Sequence, residues 1–128
     1  MEKSKISIQN YPFIHHIHCH KSWIIAAEEN GHIICLSFAD LKKPKFIMPA
    51  SLTRVVSCKI ASFSEKILLT ASIDGSFSLF DFLQRKNGDP TFIQKYKAPN
   101  EPVCLETVNN SIILGMTSPK IGIYTIKG

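Results

Sequence analysis

Residues 67–82 read ILLTASIDGSFSLFDF. The run from Ile67 to Ala71 leads to Asp74-Gly75, and a second apolar run follows through Phe77, Leu79 and Phe80. An Asp-Gly pair between two such runs is a strong short-range hairpin signal, because both residues tolerate positive φ. The same grammar recurs on either side. Residues 23–38 (WIIAAEENGHIICLSF) and 111–126 (SIILGMTSPKIGIYTI) align with it without a gap. Trp23, Ile67 and Ser111 open the three copies, so both steps of the repeat are 44 residues long. Asn30-Gly31 and Ser118-Pro119 hold the turn position in the flanking copies. Helices do not fit this pattern, since β-branched residues are frequent and turns recur too often for helices of ordinary length.

Further strands are predicted around each hairpin. Residues 13–18, 55–61 and 103–108 precede the three copies, and residues 45–48 and 91–96 follow the first two. The connections carry chain breakers, at Lys43-Pro44, Pro49-Ala50, Asn87-Gly88-Asp89-Pro90, Pro99 and Pro102, as turns between strands require. Four antiparallel strands per repeat make one blade of a β-propeller, and WD repeats have a period of about 40–45 residues. The expected fold is therefore all-β, with three four-stranded antiparallel blades in a single domain over 1–128. Blade 1 covers about 10–49, blade 2 about 53–97 and blade 3 about 102–128. The third copy ends before a fourth strand. The strand-like Lys5-Ile6-Ser7-Ile8 either completes blade 3 or belongs to a blade elsewhere.

The repeats resemble the WD-repeat family most clearly in blade 2. Ser72-x-Asp74-Gly75 is similar to that family's S-x-D-G turn, and Leu79-Phe80-Asp81 to its terminal Trp-Asp, with Phe80 in place of tryptophan. Blade 3 ends Ile123-Tyr124-Thr125, and no copy has the Gly-His pair that opens many WD repeats. A narrower resemblance covers residues 54–128. Ser72-Ile73-Asp74, Lys97-Ala98-Pro99-Asn100-Glu101 and the run from Ile112 to Thr117 resemble the spindle-checkpoint and mRNA-export (Bub/Rae) branch of WD propellers. Ile73 stands where that branch has tryptophan, and Thr125 where it has aspartate.

The resemblance implies a non-catalytic scaffold that holds protein partners in a multiprotein complex, of mitotic-checkpoint or nuclear-transport type, in the nucleus or cytoplasm. It places partner contacts on the loops of one end, the top face. Candidate contacts there are Arg54 and Lys97 for an acidic peptide, Glu28 and Glu29 for a basic one, and Ile73 as an apolar anchor. Three blades would leave two open sheet edges. Such a chain is expected to associate with itself, to be completed by another chain's blades, or to be part of a larger propeller. The alternative function is a subunit of an RNA-associated assembly, ribosomal or RNA-processing, binding through a basic face. The net charge of +5 motivates it, although the lysines are dispersed and a nucleic-acid surface wants them grouped with stacking aromatics.

Other chemistries find little support. Apolar residues make 45% of the chain, enough for a core, yet no run reaches the roughly 18–20 residues that cross a bilayer, so no membrane association is expected. Nothing after Met1 resembles a secretory signal. Cys19, Cys35, Cys58 and Cys104 form no CxxC pair and read as free thiols. His16, His18 and His20 share one side of a strand, but same-side neighbours lie about 6–7 Å apart, too far to share one ion comfortably. They are read as neutral histidines on a half-buried strand, with no metal and no cofactor. No catalytic motif is present, so an enzyme is not expected.

Overall fold

The structure is a computed structural model that describes residues 13–125. The strand-like residues 5–8 and the last three residues of the predicted third blade lie outside that range. Among the described residues eleven strands run in chain order. The first sheet holds β1 (Ile14–His20), β2 (Trp23–Glu28), β3 (His32–Ser37) and β4 (Phe46–Pro49). The second holds β5 (Val55–Ile60), β6 (Ile67–Ser72), β7 (Ser76–Lys86) and β8 (Asp89–Lys97). The third holds β9 (Pro102–Val108), β10 (Ser111–Met116) and β11 (Ile121–Thr125). Each sheet is an antiparallel meander with neighbours in sequence order. Among the described residues the third sheet has no fourth strand.

The leading strands β1, β5 and β9 pack in succession, so they line the inner side of the arc. Each carries an irregularity near its start: pairing skips one residue at His15, at Val56 and at Val103. A bulge there bends the strand as it enters the sheet.

Side chains alternate across each strand, which gives every sheet a forward side, toward the next sheet, and a rear side. Ile25, Ala27, Ile33 and Cys35 project forward from the first sheet onto Cys58, Ile60, Leu68 and Phe80 at the rear of the second. Leu69, Ala71, Phe77 and Leu79 then project forward from the second sheet onto Leu105, Ile112 and Leu114 of the third. The strand β6 is thus buried on both sides, which explains its near-continuous apolar run. Full burial of one such aliphatic side chain contributes about 1.5–3 kcal/mol, so these two layers hold the sheets together.

Two details differ from the sequence reading. The hairpin turns were expected to be two-residue Asn-Gly and Asp-Gly links. Instead Glu28 O accepts from Gly31 N, and Ser72 O from Gly75 N, both at 3.2 Å, with only the glycines at positive φ (+91° and +90°). These are one-residue-longer turns closed by a left-handed glycine. The breaker cluster at residues 87–90 was expected as a linker. It is a tight turn inside the second sheet, with Asn87 and Gly88 both at positive φ, and it joins the two longest strands, β7 and β8.

Candidate interaction surface

One end of the arc collects the turns between β2 and β3, β6 and β7, and β10 and β11, together with the connections that enter each sheet. Repeated backbone hydrogen bonds hold them there. Glu29 N donates to Phe13 O at 3.0 Å, Ile73 N to Arg54 O at 3.0 Å, and Thr117 N to Glu101 O at 2.9 Å. The three donors are 44 residues apart, so one bond per repeat ties each turn to the residue ahead of the inner strand. A second repeated bond links the turn glycine to the connection leaving its sheet. Gly31 O accepts from Ala50 N at 2.8 Å, and Gly75 O from Ala98 N at 2.7 Å. Loops tied this way present a fixed surface, because few backbone groups are left to rearrange.

The candidate residues fall differently on this surface. Lys97 and Glu29 are exposed, and Arg54 and Ile73 are half-buried. Arg54 and Ile73 are adjacent through the bond from Ile73 N to Arg54 O. Glu28 is the correction. Expected on a solvent-facing loop, it is wholly buried. Its Oε1 accepts from Asn30 N at 2.9 Å and His32 N at 3.2 Å, and lies 2.8 Å from His32 Nδ1. Oε1 thus satisfies amides of its own turn, while Oε2 is buried without a hydrogen-bond partner among the described residues. Asp74 does comparable work in the second sheet, where its Oδ1 accepts from Ser76 N at 3.0 Å and Ser76 Oγ at 2.6 Å. Lys95 Nζ lies 3.6 Å from its other oxygen.

Sequence reasoning missed Leu52. This side chain is 100% exposed on the connection into the second sheet, next to Arg54 in the same loop. It is the most exposed large apolar side chain among the described residues. Its only sequence signal was its place in the breaker-rich stretch after Pro49.

Two other clusters lie apart from these loops. His16, His18 and His20 line β1 where it faces β5, as expected from strand alternation. His16 Nε2 donates to Cys58 O at 3.0 Å, and His20 Nε2 lies 3.5 Å from Glu65 Oε1, which also meets Lys21 Nζ at 2.8 Å. Burial pushes His18 down to about 4, with Lys59 and the flanking His20 and His16 adding to the effect. Among the described residues no group of three potential ligands is placed to hold a metal ion. Burial also raises the thiols of Cys58, to about 12, and Cys35, to about 11, so both are protonated core side chains. The second cluster is a cavity of about 940 Å³ at the outer rim between the second and third sheets, lined by Phe63, Phe77, Ile93, Tyr96, Ile112 and Tyr124 among others. It opens where a fourth strand would lie beside β11.

Three sheets packed front to rear, with a 44-residue period and one set of loop bonds per repeat, match the geometry of blades around an axis. The crystal structure of Saccharomyces cerevisiae Sqt1 superposes on the chain with a TM-score of 0.73 at 16% identity, over 89% of this chain and 32% of that one. The chain has a WD-repeat-like propeller fold. Its three sheets are three successive blades, spanning about a third of the length of that solved structure. No family model matches the chain, and no curated protein matches it.

Proposed function

We propose that these blades form a non-catalytic scaffold that holds a protein partner on the top face, taking an extended peptide with acidic and apolar residues. Leu52 and Ile73 supply apolar contacts, and Arg54 and Lys97 supply charge. The observation that carries this reading is the exposure of Leu52 on loops fixed by one repeated hydrogen bond per blade. Rigid loops that present an uncovered leucine beside cations lower the ordering cost of binding such a peptide. The likeness of residues 54–128 to the checkpoint and mRNA-export branch supports a partner of that class, within a mitotic-checkpoint or nuclear-transport assembly.

The test is an array of acidic peptides with and without leucine or phenylalanine, followed by titration of the best binder by fluorescence anisotropy. Leu52→Ala is expected to weaken binding about 10-fold or more, and Arg54→Glu with Lys97→Glu further, with Tm unchanged. Binding indifferent to all three substitutions would remove the top face from consideration. Tighter binding to an RNA homopolymer, falling steeply with salt, would favour the RNA-associated reading instead.

A further inference from the structure

The charges of the top face divide into those the fold uses and those it leaves free. Glu28 and Asp74 accept from amides of their own turns, and Lys95 Nζ lies 3.6 Å from Asp74. Glu29, Arg54 and Lys97 stand on the same turns and connections, yet among the described residues their side chains make no ion pair or hydrogen bond. Backbone contacts fix the order in which these three are set. Glu29 belongs to the blade 1 turn, whose Gly31 O accepts from Ala50 N and Ser51 N, so this turn lies against the connection that carries Leu52. Arg54 follows in that connection, and its carbonyl holds Ile73 of the blade 2 turn. Gly75 of that turn accepts from Ala98 N, next to Lys97. From blade 1 to the far side of blade 2 the surface therefore reads anion, leucine, cation, isoleucine, cation. Around the blade 3 turn Glu101 and Lys120 are both exposed and carry opposite signs, so they extend neither charge.

A uniformly acidic segment lying along this surface meets repulsion at Glu29, and a uniformly basic one meets it at Arg54 and Lys97. We infer that the partner segment is zwitterionic: it sets a lysine or arginine over Glu29, an apolar side chain on Leu52, and a carboxylate over Arg54 and Lys97. Packed sheets lie about 10 Å apart, which is about three residues of extended chain, so the partner's opposite charges are about three to four residues apart. The inference rests on the top-face capture proposed above and names the charge order that selects the peptide. Glu29 acts mainly by rejection. An exposed ion pair adds little affinity, whereas a like charge set opposite discriminates between partners.

Two fluorescent peptides, titrated by anisotropy against the full chain at low salt, provide the test. One carries a lysine, a leucine and a glutamate in that order, with the charges about four residues apart. The other is identical except that glutamate replaces the lysine. The zwitterionic peptide is expected to bind about 5-fold tighter or more. Glu29→Lys should reverse that preference and Glu29→Gln should abolish it, with Tm unchanged because the side chain holds no partner in the fold. If Glu29→Lys lowers Tm, Glu29→Gln alone decides. Equal affinities in the unsubstituted chain, tighter binding of the all-acidic peptide, or a preference indifferent to Glu29 would overturn the charge order. Top-face capture would still stand in that case, provided Leu52→Ala weakens both peptides. Binding of neither peptide, or binding indifferent to Leu52→Ala, would remove capture and charge order together.

Discussion

Among single residues, the two turn glycines make a controlled comparison. Gly31 and Gly75 share a positive φ, but a Cβ on Gly31 would lie 2.1 Å from Ser51 O and 2.6 Å from Thr53 O, whereas one on Gly75 meets nothing within 4 Å. Gly75→Ala should therefore cost only the left-handed conformation, about 1 kcal/mol. Gly31→Ala adds a backbone collision and should cost about 3 kcal/mol or more. Urea unfolding of the two variants checks the ranking. His18 offers a second test. Unfolded, it titrates near 6.5, and folded, near 4. As pH falls, the unfolded chain takes up the proton first, so stability present above about 6.5 is lost down to about 4 and then levels. Allowing for the ring's partial exposure, the loss is about 1–2 kcal/mol. His16, lowered by burial despite its bond to Cys58 O, adds in the same direction. His18→Gln should flatten the difference between unfolding at pH 7 and at pH 4.5. An unchanged slope would show that the ring is solvated in the native state.

At the level of strands and turns, the sequence was legible wherever one side of a sheet is buried in a repeated way. The alternation of Phe77 and Leu79 and the two glycine turns located β6 and β7 without ambiguity. Legibility failed where the local reason is a hydrogen bond or a stack instead of a pattern. Glu28 reads as a loop charge because nothing in composition reveals that its own turn amides will satisfy it. The end of β7, through Gln84, Arg85 and Lys86, reads as linker because its residues are polar. There Arg85 is the reason for the strand extension. Its guanidinium lies 4.6 Å from the centre of the Phe82 ring, 4.8 Å from Phe46 and 5.9 Å from Trp23, and Nε donates to Phe82 O at 2.6 Å. This stack fills the outer rim between blades 1 and 2, the region that stays open as a cavity between blades 2 and 3. Arg85→Ala should cost about 1–2 kcal/mol, and Arg85→Lys should recover only part, since a compact ammonium cannot stack as a plane. Trp23, the sole tryptophan, reports the change directly, with red-shifted emission expected in the alanine variant.

Across the whole molecule, stability should be graded along the arc. Opening blade 2 breaks both apolar layers, because β6 and β7 contribute to each of them. Opening blade 3 breaks only the layer around Leu105, Ile112 and Leu114. Among the described residues its further ties to blade 2 include the Phe77 and Tyr124 rings, with centres 4.8 Å apart, the ion pair of Lys59 with Glu106, whose side chains are 22% and 61% exposed, and the bond from Ser62 N to Thr107 Oγ1 at 2.9 Å. A half-exposed ion pair adds little, on the order of 1 kcal/mol at most. β11 is also the outermost strand of a three-stranded sheet, and it alternates exposed and half-buried residues where β6 is buried at nearly every position. Native-state hydrogen exchange should therefore show a low-energy opening confined to β9, β10 and β11. Amides of Ile112 to Leu114 should exchange at least 100-fold faster than those of Leu68 to Thr70. Urea should speed the slowest amides of β6 more steeply than those of blade 3, because the smaller unit exposes less surface on opening. Uniform protection across all three blades would mean that the inter-blade layers couple the chain into one cooperative unit. The single apolar layer under blade 3 would then hold it as firmly as the two layers hold blade 2. A graded response places the weakest unit in blade 3, which one apolar layer holds where two hold blade 2.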